Sequence, residues 1–257
     1  MKGAILAGGR GTRLAELTRQ LPKPLTAIGP LPILWHICHG LVARAGVNEI
    51  VLALGYMADK VTDFLSTQCT EISSDHPAAN RYCHQSRHIG KGEDILFQAV
   101  DTGLDTDTGG RVKRLQPWLQ GERFFLSWCD GLHDIDLREM MTFHQGHGRL
   151  ATVAAVYPPP RFGRLHLQDD RVVDFQEKKP GREGWINGGV FILEPGIFDL
   201  IPSENCSWER DVLTQLSRSG ELMAFKHEGF WQCMDTLAEK ELLEKRWEND
   251  QAPWYTG

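Results

Sequence analysis

The sequence predicts an α/β fold built on a mixed, mostly parallel sheet flanked by helices, with a smaller α+β part toward the carboxyl end. Three observations predict it. A strand, a helix and a strand follow one another within the first 54 residues, the signature of a βαβ unit with a right-handed crossover. The same alternation recurs between residues 124 and 156. Beyond Pro158-Pro159-Pro160 it gives way to hairpin-like patterning.

Each element follows from local chemistry. Residues 3–7 form a short apolar run ending at glycines, as a buried parallel strand does before its phosphate-side loop. Pro32 opens a segment with apolar residues at 33, 34, 37, 38, 41, 42 and 45, which is helical spacing, and Gly46 stands where a C-terminal cap belongs. Ile50 to Leu54 reads as the next strand, Phe124-Phe125-Leu126 as another, and Ala151 to Val156 as a third. Asp136 followed by Glu139 predicts a capping box. Alternation on either side of Asp169-Asp170 predicts a hairpin from Arg164 to Phe175, and Gly189 to Leu193 reads as a further strand. The triple proline lacks the length of an interdomain linker, so a single domain is expected, with about 1–157 as its first part and about 158–257 as its second.

With 257 residues, 41% of them hydrophobic, the chain can bury a full core. A net charge of -6 argues against a general affinity for nucleic acid or anionic membrane. No run approaches the roughly 18 apolar residues of a membrane span, and Met1-Lys2 leads into a strand rather than a signal peptide, so a cytoplasmic location is expected. The cysteines at 38, 69, 83, 129, 206 and 233 show no zinc-ribbon spacing, which predicts reduced thiols. His36-x-x-His39 and His144-x-x-His147 lack a third ligand nearby, and the first pair is expected at the surface or an interface.

Against the acidic whole, Lys2, Arg10, Arg13, Arg19 and Lys23 cluster in the first 25 residues, opposed only by Glu16. The loop Gly8-Gly9-Arg10-Gly11-Thr12-Arg13 after the first strand can aim several amide N–H groups at one anion. It is not a P-loop, having no Gly-Lys-Ser/Thr, nor a dinucleotide fingerprint, having Leu14 in place of the third glycine. Arg13 adds a cation, and Lys23, held between Pro22 and Pro24, adds a second with little ordering entropy left to lose. Asp130 follows the strand beginning at Phe124, at the edge where α/β sheets bind ligands. Asp235 follows Phe230-Trp231, and two such carboxylates with triphosphate oxygens would suit magnesium. Taken alone, each aspartate reads more readily as a turn or cap residue, and Glu177-Lys178 as a solvated charge pair.

The segment from Leu6 to Leu14 followed by Pro22-Lys23-Pro24 resembles the signature of the sugar-1-phosphate nucleotidylyltransferases. The likeness runs on through Pro32 to Ile37, Asp101-Thr102-Gly103, Thr108-Gly109-Gly110-Arg111, Trp185 to Gly189 and Phe230 to Thr236, and residues 101–111 favour the cytidylyl branch. The resemblance implies a Rossmann-like fold of the nucleotide-diphospho-sugar transferase type and transfer of a cytidylyl group from CTP to glucose 1-phosphate, with magnesium, in a homo-oligomer. It assigns nucleotide binding to Leu6, Ala7, Gly8, Gly9, Gly11, Thr12, Arg13, Lys23, Arg111 and Asp130, with Arg13 and Lys23 acting in the chemistry. It gives the metal to Asp130 and Asp235, and the sugar phosphate to Glu177, Lys178, Asn187 and Gly188. The chain departs from that family at Leu31, Met57, Cys129 and Lys179, which leaves open another nucleotide or another phosphorylated acceptor. A non-catalytic nucleotide-sugar-binding subunit is the remaining alternative, although the cations and carboxylates such a chain would lose first are all present.

Overall fold

The computed structural model describes residues 1–14, 18–74, 76, 79–84, 94–159, 164–176 and 184–255, the side chains of 13, 164–167, 175 and 176 excepted. Glu177, Lys178 and Lys179 lie outside the described residues.

Nine strands form one sheet: β1 Lys2–Leu6, β2 Glu49–Leu54, β3 Thr70–Ile72, β4 Ala79–His84, β5 Ile95–Asp101, β6 Phe124–Trp128, β7 Ala151–Val156, β8 Ile186–Leu193 and β9 Leu222–His227. Their spatial order is β9-β7-β8-β6-β1-β2-β5-β4-β3. The run β6-β1-β2-β5 is parallel throughout, while β4 and β8 run against their neighbours. Strands from both halves of the chain therefore interleave, because β8 lies between β6 and β7. The chain leaves β1 toward β2 on one side and leaves β6 toward β7 on the other, and such a switch in direction between neighbouring strands opens a crevice at their carboxyl ends.

Both faces of the sheet are covered, which explains the unbroken apolar runs. Ile5, Ile50 and Leu52 face a core closed by helix α1, Ile33–Ala45, whose Ile33, Leu34, Ile37, Cys38 and Leu41 are buried. Ala4, Leu6, Val51, Phe124 and Leu126 face a second core with Trp208, Val212 and Val112. As its spacing predicts, α1 starts after Pro32 and stops at Gly46, whose φ of 67° lets its amide reach back to the carbonyls of Leu41 and Val42. Asp136 caps the helix α4 at Leu137–His147 by accepting from the amides of Arg138 and Glu139, the aspartate half of the expected box. Between α1 and α4 come α2, Ala58–Gln68, and α3, Thr108–Arg114, the latter followed by the one-turn helix Gln116–Leu119. The hairpin pairs Arg164–Gln168 with Arg171–Gln176 around Asp169, which takes φ of 52°. Among the described residues, no helix is long and apolar enough to cross a membrane.

The histidines of α1 correct the sequence expectation. His36 and His39 are buried, roofed by the carboxyl-terminal segment rather than placed at a surface. His36 meets the Ile28 carbonyl at 2.9 Å and the edges of Trp247, Trp254 and Tyr255, while His39 stacks on Tyr255 with ring centroids 4.4 Å apart. Burial holds His36 below its ordinary value and takes His39 down to about 4. Between pH 6.5 and 4 the unfolded chain then binds protons at these positions that the folded chain refuses, so stability falls as pH falls through that window. Urea midpoints measured from pH 7.5 down to 4.5 are expected to decline, and the decline should be shallower in His39→Phe, which keeps the stacking and removes the titration.

Candidate functional site

The site is built at the carboxyl ends of β1, β2, β5 and β6. The Ala7 amide still donates to the Ala53 carbonyl at 3.0 Å, and the Gly8 carbonyl accepts from the Tyr56 amide at 3.1 Å, so the loop leaves the sheet under control. A side chain at Gly8 or Gly55 would strike the Arg111 guanidinium, at 2.3 Å and 2.4 Å respectively. Arg111 comes from α3 and is buried between these glycines; its Nη1 donates to Leu54 O at 3.1 Å, Thr102 Oγ1 at 2.7 Å and Gly103 O at 2.8 Å. It ties the ends of β2 and β5 beneath the glycine loop. Gly11 takes φ of 60°, and its carbonyl accepts from the Leu14 amide at 2.9 Å and the Thr18 hydroxyl at 3.0 Å. Among the described residues nothing stands within 4 Å of the place a Gly9 side chain would occupy, which leaves that stretch of loop open to a ligand. Arg13 lies in the short turn Thr12–Leu14.

Lys23 opens a one-turn helix, Lys23–Leu25, that the flanking prolines favour, and its ammonium is driven inward. There it donates to Asp130 Oδ2 at 2.8 Å and Asp235 Oδ1 at 2.7 Å. Burial alone would make it a weaker base, but the carboxylates, Asp130 foremost, outweigh burial and hold its pKa well above the ordinary lysine value. The ammonium therefore stays charged across the neutral range. Asp130 and Asp235 meet because Gly131–His133 and Trp231–Cys233 pair as an antiparallel ribbon, with Cys233 opposite Gly131 and the Met234 amide bonded to the Asp130 carbonyl at 2.9 Å. A capping box starts the helix α5, Leu237–Glu248: Thr236 accepts from the Glu239 amide, and Glu239 accepts from the amides of Thr236 and of Asp235, the latter at 2.7 Å. Both carboxylates thus sit on fixed backbone. Burial, reinforced by Asp130, pushes the adjacent Cys129 thiol up to about 12, so it is neutral.

Two cavities meet here. The first, about 290 Å³, is lined by Leu6, Gly8, Gly9, Gly11, Lys23, Asp130, Arg111, Trp128 and Cys129, and also by Thr108 and Glu209. The second, about 450 Å³, is lined by Trp128, Asp130, Asn187, Trp231 and Asp235 with Pro158, Pro159, Ile186 and Cys233. Trp128 and Asp130 belong to both. Asn187 enters the second cavity at a bulge in β8, where the register slips between Val153 and Ala155 of the partner strand. Gly189, at φ of 74°, makes room for the bulge, since a side chain there would lie 2.5 Å from the Trp128 ring. The Gly188 carbonyl accepts from Trp231 Nε1 at 2.8 Å.

The structure therefore brings Gly8, Gly9, Gly11, Lys23, Arg111, Asp130, Asp235 and Asn187 around one pair of cavities. Arg111 lines the wall with its donors turned largely to backbone carbonyls rather than into the open space. Sequence reasoning missed Glu209, Thr108 and the tryptophans 128 and 231 as lining residues. For the first two the available signal was the pair of motifs Thr108-Gly109-Gly110-Arg111 and Trp208-Glu209-Arg210; nothing in the sequence marked the tryptophans.

A doubly covered sheet with a glycine loop and paired carboxylates at its switch point defines an α/β protein that handles phosphorylated ligands at that edge. Residues 2–244 match the nucleotidyl transferase family, and the chain belongs to it. It is 42% identical to the glucose-1-phosphate cytidylyltransferase of Salmonella typhi over 100% of this chain and 99% of that one. It is 32% identical to the mannose-1-phosphate guanyltransferase of Candida albicans, over 95% of this chain and 63% of the relative. Among solved structures, a UDP-glucose pyrophosphorylase complexed with UDP-glucose shares the fold, with a TM-score of 0.68 and 17% identity over 97% of this chain and 98% of that one.

The contact between α3 and the 204–209 segment shapes the first cavity and is checkable. A side chain at Gly110 would come within 1.8 Å of the Glu204 carbonyl oxygen, a backbone atom that cannot swing aside. Gly110→Ala is expected to destabilise by about 1–3 kcal/mol or more, the scale of overpacking, and to weaken nucleotide binding; thermal melts and nucleotide titration check both.

Proposed function

We propose that this chain joins CTP to α-D-glucose 1-phosphate, giving CDP-glucose and pyrophosphate. The observation that carries the proposal is the pair of cavities meeting at Lys23, Asp130 and Asp235, one able to take a nucleoside triphosphate and the other a sugar phosphate. The full-length identity to a glucose-1-phosphate cytidylyltransferase supports the choice of substrates. The nucleotide half is drawn chiefly from residues 1–157 and the sugar half from 158–257, with Glu209 reaching into the first and Trp128 and Asp130 into the second.

The backbone of Gly8 to Thr12 cradles the triphosphate, with Arg13 beside it. A sugar-phosphate oxygen attacks the α-phosphorus; the new P–O bond forms as the bond to the β-phosphate bridging oxygen breaks, and pyrophosphate leaves with the electron pair. Lys23, fixed and charged, opposes the negative charge that develops, so positioning and electrostatics supply the catalysis without a covalent intermediate. Asp130 and Asp235 suit magnesium, since both carboxylates already lie within 2.8 Å of one cationic nitrogen and this ion needs few protein ligands. Bound there, magnesium would neutralise phosphate oxygens. Glu177, Lys178, Asn187 and Gly188 complete the reading on the sugar side.

Four nucleoside triphosphates assayed with magnesium against glucose 1-phosphate, mannose 1-phosphate and polyol phosphates test the substrates. CTP with glucose 1-phosphate should release pyrophosphate fastest. Nucleotide binding without turnover in every combination would overturn the enzyme reading, and a faster pair would replace the one proposed. Lys23→Ala should lower kcat at least tenfold, about 1.4 kcal/mol in the barrier. A smaller loss removes Lys23 from the chemistry.

A further inference from the structure

Glu209 is a carboxylate on the wall of the nucleotide cavity that the proposed chemistry leaves unused. It sits in the wide helical turn Trp208–Leu213, capped by Ser207, and this turn is pressed against the start of α3 because Gly109 and Gly110 carry no side chains. Only one of its oxygens is satisfied. Glu209 Oε2 accepts from the Thr108 hydroxyl at 2.8 Å and from the Ser207 hydroxyl at 3.1 Å. The Thr108 hydroxyl is itself oriented, accepting from the Trp208 amide at 2.9 Å. Oε1 has no hydrogen-bond or ion-pair partner among the described residues. The nearby cations are committed elsewhere, Arg210 to Asp107 at 3.2 Å and Arg111 to backbone carbonyls.

Thr108 and Glu209 line one cavity with Lys23, Asp130 and the glycine loop. Lys23 and Asp130 stand beside β6, whereas Thr108 follows β5, three strands away across β1 and β2. With phosphates at Lys23 and the glycine loop, and Arg111 committed to backbone carbonyls, Thr108 and Glu209 are the polar side chains of that cavity left to meet the base. A pyrimidine reaching that wall presents either an exocyclic amine, as cytosine does, or a carbonyl, as uracil and thymine do. A carboxylate accepts from the amine and repels the carbonyl, and a site built around a hydrogen bond rejects the ligand that cannot make it.

We propose that Glu209 is the residue that selects an aminopyrimidine over a ketopyrimidine nucleotide, its Oε1 accepting from the exocyclic amine while Thr108 and Ser207 hold Oε2. The inference rests on the proposed use of CTP and adds to it the group that reads the base. Glu209→Gln is the informative variant: the hydroxyls of Thr108 and Ser207 keep the amide oxygen, which turns the amide nitrogen, a donor, toward the base.

The test compares CTP and UTP in wild type and Glu209→Gln, by kcat/KM and by direct nucleotide titration without sugar phosphate. The CTP-to-UTP ratio should fall at least tenfold in both measurements, with UTP gaining in absolute terms and the melting temperature close to wild type. A fall in CTP use with the ratio unchanged would show that Glu209 merely braces α3 and would overturn the assignment while leaving the CTP reading intact. A wild-type enzyme with no preference for CTP over UTP would overturn both. Should Glu209→Gln melt early, Thr108→Ser, which keeps the hydroxyl, must retain the wild-type ratio, and Glu209→Met must lose discrimination; discrimination kept in Glu209→Met overturns the proposal.

Discussion

The Lys23 ammonium held between Asp130 and Asp235 is the interaction on which the rest of the site depends. Three distant stretches of chain converge on it: a proline-flanked turn near the amino end, the loop after β6, and the entry to the carboxyl-terminal helix. Two carboxylates brought to one point repel each other unless a cation stands between them. The ammonium donates to one oxygen of each and aligns the pair, and the arrangement is already matched to positive charge. Breaking a pair of this kind by removing one partner leaves charge stranded in a partly desolvated place, which costs more than the attraction itself contributes.

Around that centre the cavities are shaped as much by missing side chains as by those present. Gly8 and Gly55 admit the Arg111 guanidinium, which binds the ends of two neighbouring strands into one floor. Gly109 and Gly110 admit the Glu204–Trp208 backbone, which leads Glu209 to the wall of the first cavity. Gly189 admits the ring of Trp128, the residue that with Asp130 lines both cavities. Each glycine trades chain entropy for a close approach that even one methyl group would prevent. The second cavity then differs in character from the first, being lined by Trp128, Trp231 and prolines rather than by a glycine loop.

The parts of this protein governed by near neighbours were legible in the amino-acid sequence. Periodicity and caps determine α1 between Pro32 and Gly46, the apolar runs determine the parallel strands, and Asp169-Asp170 determines the hairpin, because each depends on a few consecutive residues. The glycine loop and its local excess of positive charge likewise mark the end of β1 as the expected place for an anion. Tertiary structure alone decided the rest. His36 and His39 look like surface residues until Trp254 and Tyr255, more than two hundred positions later, cover them. Asp130 and Asp235 are unremarkable turn residues until a three-residue ribbon sets them on one ammonium. Glu209 is one charge among many until two glycines let its turn close on α3. Contacts of that range depend on how the sheet is ordered and on which backbones can touch, and no local window of sequence carries that information.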